Sequence, residues 1–242
     1  SADSLEILAM ESSATAASVA YVKDGKILAH NYINAGLTHS TTLMPMAQAL
    51  LQNANLKLSD VDYFAVSVGP GSFTGLRIGI SAIKGISLAE NKPCVPVSTL
   101  EAMAYNYAYT DTIVCCVIDA RCKRFFNAIF KCSADGKVER LCDDRAISYE
   151  ELEAELNEKY SDKVVVLVGD GAGLAQNLMC NAKADLQIAP AHLRYQQATG
   201  VAMAAQNLVE CGKTVSSNQL LPSYLSLPQA QRELQKKLKK EN

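Results

Sequence analysis

The chain is 242 residues long, 49% apolar and 20% charged, with a formal charge of −2. That composition buries two modest cores and excludes disorder over most of the length. The near-balanced charge supplies no global attraction to nucleic acid, so the chain as a whole is not a basic binder.

Residues 5–10, 15–22 and 27–33 read as three strands. The last two are joined at Lys23-Asp24-Gly25-Lys26, where Asp-Gly suits the left-handed backbone of a tight hairpin. A helical period starts at His39 and Ser40 and places Leu43, Met46, Ala47, Leu50, Leu51 and Ala54 on one face; Pro45 is tolerated if the helix begins near Thr41. A strand at 63–68 runs into Gly69-Pro70-Gly71 and a helix over 74–90. Residues 93–97 add a short strand, and Ser98 is placed to cap a helix reaching about Tyr107.

From Thr112 the same order begins again: strands at 113–118 and 125–131, an Asp135-Gly136 turn, and a strand from 137 to 141 or beyond. A helix over 149–160 and an all-apolar strand at 164–168 follow, the strand ending in Gly169-Asp170-Gly171-Ala172-Gly173 before another helix. Glu11 after the first strand is matched by Asp119, and Gly69-Pro70-Gly71 by Gly169-Asp170-Gly171. Two β-β-β-α-β-α halves predict an α/β protein of duplicated lobes facing each other across a cleft. The division falls within 107–111, giving an N-terminal lobe at 1–108 and a C-terminal lobe at 109–242. Residues 229–242, with Lys236, Lys237, Lys239 and Lys240, read as a polar helix or a frayed, solvated tail.

Eight cysteines form no C-x-x-C pair, and several lie in apolar strands as small hydrophobes, which predicts a reducing compartment. Asp3 and Glu6 stand where a secretory leader is cationic, and no apolar run nears the roughly 20 residues of a bilayer span. A soluble, cytoplasmic protein without membrane contact is expected, and Ser1 in place of methionine reads as a trimmed start.

Glycine inside a helix costs roughly 1 kcal/mol relative to alanine, so Gly75, Gly79 and Gly85 mark places where backbone approaches something closely. Gly75, Gly79, Ala82 and Ala89 form a small-residue stripe, Leu76, Ile80 and Ile83 lie on another face, and Ile78 and Ile86 flank the stripe. One apolar face covers the sheet and the other is expected to meet a partner protein, together with the helix that starts at His39. The expected interface is His39, Leu43, Met46, Leu50, Gly75, Leu76, Gly79, Ala82, Ile83 and Ile86; alternatively, both faces are covered within the lobe. The same helices, left alone, are expected to pair as a homodimer.

Glu11, Ser12, Asp119, Gly169, Asp170 and Gly171 are the candidates for a nucleotide cleft. Glu11 and Asp119 can orient a magnesium-bound water, or be a vestigial pair at strand ends. Gly69-Pro70-Gly71 is no P-loop: Gly-Lys-Ser/Thr is missing and Pro70 removes a donor. A small-molecule kinase or ATPase using this cleft is one alternative function; a peptidase is another, although no Ser/His/Asp ordering supports it.

Glu11-Ser12-Ser13, His39-Ser40, the run from Gly69-Pro70-Gly71-Ser72-Phe73-Thr74-Gly75 to Leu76-Arg77-Ile78-Gly79, Asp119-Ala120-Arg121 and Gly169-Asp170-Gly171 together resemble the TsaB (YeaZ-type) family of the bacterial tRNA threonylcarbamoyladenosine machinery, over nearly the whole chain. The resemblance implies the actin/Hsp70/sugar-kinase (ASKHA) fold with ribonuclease H-like lobes. It further implies a non-catalytic scaffold or activator that dimerises with a TsaD-like catalytic subunit for threonylcarbamoyl transfer to adenosine-37 of tRNA, with a TsaE-like ATPase as third component. No cofactor of its own is implied beyond weak nucleotide or magnesium binding; such proteins were formerly labelled glycoprotease-like. The catalytic relative needs two histidines one helical turn apart to hold a metal. Here His30, His39 and His192 include no such pair, so neither a metal site nor catalytic residues are expected. Pro222-Ser223-Tyr224-Leu225-Ser226 is similar to the family's Pro-x-Tyr-Leu-Arg element, with serine in the arginine position.

Overall fold

A computed structural model describes residues 4–241; Ser1, Asp3 and Asn242, which entered the expectations for the start and the tail, lie outside the described residues. The first sheet is built from β1 (Glu6–Glu11), β2 (Ala17–Lys23), β3 (Lys26–Ile33), β4 (Tyr63–Gly69) and β5 (Cys94–Ser98), in the order β3-β2-β1-β4-β5. β1 and β2 run antiparallel, as do β2 and β3, whereas β4 lies parallel to both β1 and β5. Asp24 and Gly25 both take positive φ, which is the backbone the two-residue hairpin between β2 and β3 demands.

The second sheet repeats this plan with β6 (Thr112–Asp119), β7 (Arg124–Cys132), β8 (Val138–Arg140), β10 (Val164–Val168) and β11 (Asp185–Ile188), in the order β11-β10-β6-β7-β8. β9 (Arg145–Ser148), which the sequence did not announce, shares the edge of β7 with β8. Each sheet therefore has two or three antiparallel strands on one side and a parallel pair added beside its first strand.

The helices fill the layers between and outside the sheets. α1 (His39–Ala54) and α2 (Phe73–Glu90) cover the outer face of the first sheet, where Leu43, Met46, Leu50, Leu76, Ile80 and Ile83 pack on Leu8, Met10, Val19, Tyr21 and Phe64. α4 (Tyr149–Lys159) and α5 (Ala172–Leu178) cover the outer face of the second, with Leu152, Leu156, Ala172 and Ala175 against Phe125, Val165 and Leu167.

Between the sheets lie α3 (Thr99–Ala104), capped by Ser98 as expected, and α7 (Ala198–Glu210), which follows the short α6 (Ala191–Arg194). Leu100 and Met103 of α3 join the core of the second sheet, while Ala198, Val201 and Ala205 of α7 join the core of the first. The two helices cross closely enough that a Cβ on Gly200 would sit 2.3 Å from the Ala102 carbonyl oxygen. The strands thus divide between β5 and β6, but each half of the chain lends one helix to the other's sheet, which holds the pair of lobes together.

Beyond α7 the chain returns to the first lobe. Ser223 N–H donates to the Val68 carbonyl at 2.8 Å, and Ser226 is buried against Gly69, where a Cβ would lie 1.7 Å from its Oγ. Residue 226, where the resemblance implies an arginine, is therefore a small side chain pressed onto the glycine loop. The tail forms a helix, α8 (Gln229–Lys240), with no buried residue.

Candidate functional site

Two concave regions meet at the ends of β1 and β4. The first is the groove between α1 and α2. Leu43, Met46, Ala47 and Leu50 recur at three- and four-residue spacing and turn one face of α1 into the sheet. α2 starts at Ser72, whose Oγ accepts from Gly75 N–H at 3.3 Å, and it ends at Asn91 in the left-handed conformation. Its buried positions are Gly75, Leu76, Gly79, Ile80, Ile83, Ile86 and Ser87.

That burial corrects the expected interface residue by residue. Leu43, Met46, Leu50, Leu76, Ile83 and Ile86 point into the first lobe's own core, Leu43 alone of the six also reaching the floor of the groove. Gly75 and Gly79 are glycine for an internal reason: a Cβ at Gly75 would lie 2.2 Å from the Ser12 carbonyl oxygen, and one at Gly79 would lie 2.5 Å from Ser12 Oγ. Ser12 is itself fully buried and donates from Oγ to the Gly75 carbonyl at 2.7 Å, so the close approach predicted at these glycines is made by β1's C-terminal end. Of the ten residues, His39 and Ala82 remain at the surface of the groove.

The outward faces are formed by other residues. His39, Ser40, Met44, Phe73, Arg77 and Ile78 line a groove of about 610 Å³, with Leu43 at its floor and Ala82 on its wall. Met44 is 38% exposed, and Leu88, further along α2, is 69% exposed. The Arg77 guanidinium lies 5.3 Å from the centre of the Phe73 ring. Gly85 has open space where its Cβ would be, so no contact within the chain explains this helix-interior glycine. Met44, Phe73 and Arg77 are not legible in the sequence because their spacing is shared with the buried stripe; Gly85, expected to mark a close approach, meets no atom of the chain.

The second region is a cleft of about 560 Å³ between the lobes, lined by Ser13, Thr15, Gly71, Ser72, Asp119, Arg121 and Asp170 among others. Asp119 and Asp170 are brought to it as expected, with Asp170 pushed up by burial and by the nearby Asp119 carboxylate, partly offset by backbone donors. Glu11 is not in the cleft. It is fully buried, Oε1 accepts from Ser13 N–H at 2.6 Å, and Oε2 has no partner among the described residues; burial raises its pKa above the usual carboxylate value. Asp119 closes the equivalent turn, accepting from Arg121 N–H at 2.8 Å. The two matched carboxylates therefore do the same structural work, bonding the backbone two residues on.

The glycines have similar explanations. Gly169 takes φ 115°, and a Cβ there would lie 2.1 Å from the Val117 carbonyl oxygen, while Gly171 N–H donates to that same oxygen at 3.2 Å. Gly171 and Gly169 thus press a strand-to-helix turn onto β6. Ser72 N–H donates to the Ser13 carbonyl at 2.8 Å, so the loop at Gly69-Pro70-Gly71 is closed on β1 and does not hold its donors open to a phosphate. A magnesium–nucleotide group bridging Glu11 and Asp119 does not fit these residues, because the Glu11 carboxylate is fully buried within its own lobe and turned back onto Ser13.

His39 connects the two regions. Its Nε2 donates to the Ala14 carbonyl at 2.5 Å, in the segment that lines the cleft, while its ring borders the groove.

Duplicated sheets with exchanged central helices, an interlobe cleft and an apolar outer groove define a protein of the actin/Hsp70/sugar-kinase fold. The sequence model of the TsaD family, described as tRNA N6-adenosine threonylcarbamoyltransferase, matches residues 33–234, and the chain belongs to that family. It is similar to tRNA threonylcarbamoyladenosine biosynthesis protein TsaB of Escherichia coli (strain K12), 35% identical over 54% of this chain and 58% of the relative. It is also similar to the protein of the same name from Bacillus subtilis (strain 168), 26% identical over 72% of this chain and 75% of the relative. The chain thus spans little more than half the length of the first of these relatives and three quarters of the second. Among solved structures, YeaZ from Pseudomonas aeruginosa superposes with a TM-score of 0.77 at 25% identity, covering 91% of this chain and 99% of that one. The TsaB/YeaZ resemblance read from the motifs is therefore shown.

Proposed function

We propose that the protein is a scaffold or activator subunit of tRNA threonylcarbamoyladenosine synthesis that docks a TsaD-like catalytic subunit in the α1–α2 groove. The observation that carries this reading is the outward side of α2: an exposed Leu88, a half-buried Ile78 and an open Gly85 in a helix whose other glycines are accounted for internally. A second helix can approach closely at Gly85, and Met44 and Ile78 offer it apolar contact.

The subunit has no reactive centre of its own in this reading. Its three histidines include no pair one helical turn apart, and among the described residues no three His, Cys, Asp or Glu side chains gather as metal ligands. The TsaD-like partner supplies the transfer chemistry on tRNA, a TsaE-like ATPase completes the assembly, and the chain uses no cofactor itself. No helix among the described residues is long and apolar enough to cross a membrane, which accords with work in the cytoplasm beside tRNA. Without its partner the same groove pairs two copies of the chain.

Gly79 is a poor probe of this interface, since a larger side chain there strikes Ser12 and disturbs the fold. Gly85→Leu and Met44→Glu are the fitting probes. Gel filtration of each with the catalytic subunit is expected to show two separate folded proteins; a complex of wild-type stability would remove the groove from the interface.

A further inference from the structure

The exposed C-terminal helix is the most strongly basic element among the described residues. α8 carries Arg232, Lys236, Lys237, Lys239 and Lys240 against Glu233 and Glu241 just beyond it, so the chain's formal charge of −2 divides into +3 on this segment and −5 on the rest. At about 100° per residue, Lys236, Lys239 and Lys240 fall on one arc of about 100°, with Lys237 about 60° beyond it, and all four are exposed. Leu234 and Leu238, 58% and 53% exposed, lie on the opposite side. The base of the helix is tied down: Tyr224 Oη donates to the Arg232 carbonyl at 3.3 Å, and the segment before it is bonded to β4 through Ser223. Four ammonium groups are thereby held within about 6 Å of axial rise beyond a fixed base.

We infer that α8 is a contact for the phosphate backbone of RNA, read without regard to base sequence. A lysine stripe on an otherwise acidic chain is complementary to a polyanion, and it is concentrated where the remainder would repel one. Two leucines are a small apolar anchor for a bilayer, so RNA is the favoured occupant over an anionic membrane. The inference rests on the reading of the protein as part of a tRNA-modifying assembly, but it concerns a surface remote from the groove and stands or falls separately.

The test is fluorescence anisotropy of the 242-residue chain with an in vitro transcribed tRNA between about 50 and 200 mM KCl. Four lysine–phosphate contacts contribute a slope of about 3 in log affinity against log salt, or about a sixty-fold loss across that range. Replacing Lys236, Lys237, Lys239 and Lys240 together with Gln is expected to remove most of that slope and weaken binding at the lowest salt, with an unchanged circular dichroism spectrum. Leu234→Ser with Leu238→Ser, and separately Gly85→Leu, are expected to keep the wild-type slope, so a failed groove leaves this contact standing. Equal slopes for the wild type and the glutamine variant overturn the inference, as does binding of wild type to phosphatidylserine vesicles but not to the transcript.

Discussion

Three glycines on one helix, facing three environments, give a graded prediction for the isolated chain. At Gly85 alanine meets nothing within 4 Å, so the replacement brings its helix propensity without a clash: about 1 kcal/mol of stabilisation. For a chain of this size that raises Tm by about 2–4 °C. At Gly75 the new methyl lies 2.2 Å from the Ser12 backbone oxygen, which cannot rotate away, and displacing α2 from β1 costs about 3 kcal/mol at the upper end of ordinary overpacking. Less the propensity gain, a fall of about 2 kcal/mol, or about 4–8 °C, is expected. Gly79→Ala falls between, since its nearest neighbour is the Ser12 hydroxyl rather than backbone. Thermal melts at low protein concentration, where self-association adds little, provide the measurement. If Gly85→Ala melts below wild type by as much as Gly75→Ala, α2 is covered on both sides within the chain and its outward face is not free for a partner.

Other outcomes follow from the same geometry. Glu11 is pushed above its ordinary pKa by burial, so its contribution to stability is fully present below pH 4.5 and is lost as pH rises through the folded-state value. Glu11→Gln is therefore expected to gain on wild type progressively above pH 4.5, measured by denaturant titration from pH 4 to 8; parallel curves would contradict it. Light scattering of the chain alone should show mass rising toward a dimer with concentration, and Gly85→Leu should stay monomeric; a wild type that is monomeric throughout speaks against self-pairing of the groove. Calorimetry with magnesium-ATP on the isolated chain is expected to show no saturable heat, and heat abolished by Asp170→Ala would restore a nucleotide role to the cleft.

The strands were legible because their signals are local. Asp24-Gly25 can only be a tight turn, and the buried run of β10 between Lys163 and Gly169 has the length of a single strand. α7 escaped because its first turns, Ala198-Thr199-Gly200-Val201-Ala202, are packed between two sheets and nearly all small or apolar, its polar residues Gln206, Asn207 and Glu210 coming only toward its end. β9 and β11 escaped because each is four residues long at an edge, where pairing rather than composition defines them. In the groove, the sequence reading put residues of α1 and α2 on an outward face that the structure buries. Both sides of α2 are apolar, and only the position of Ser12 beneath Gly75 and Gly79 decides which side is internal. Glu11 was misplaced for a related reason: the carboxylate bonds its own turn, and the sequence cannot tell a side chain that points back from one that points into the cleft.

The most direct measurement is mass-spectrometric quantification of threonylcarbamoyladenosine on a tRNA transcript incubated with the TsaD-like subunit, the ATPase, and either wild-type chain or Gly85→Leu. Modification is expected with the wild type, and neither with the folded Gly85→Leu variant nor with the wild-type chain alone. Full modification supported by Gly85→Leu, or any turnover by this chain without the catalytic subunit, would contradict a protein that acts by docking through the outer face of α2.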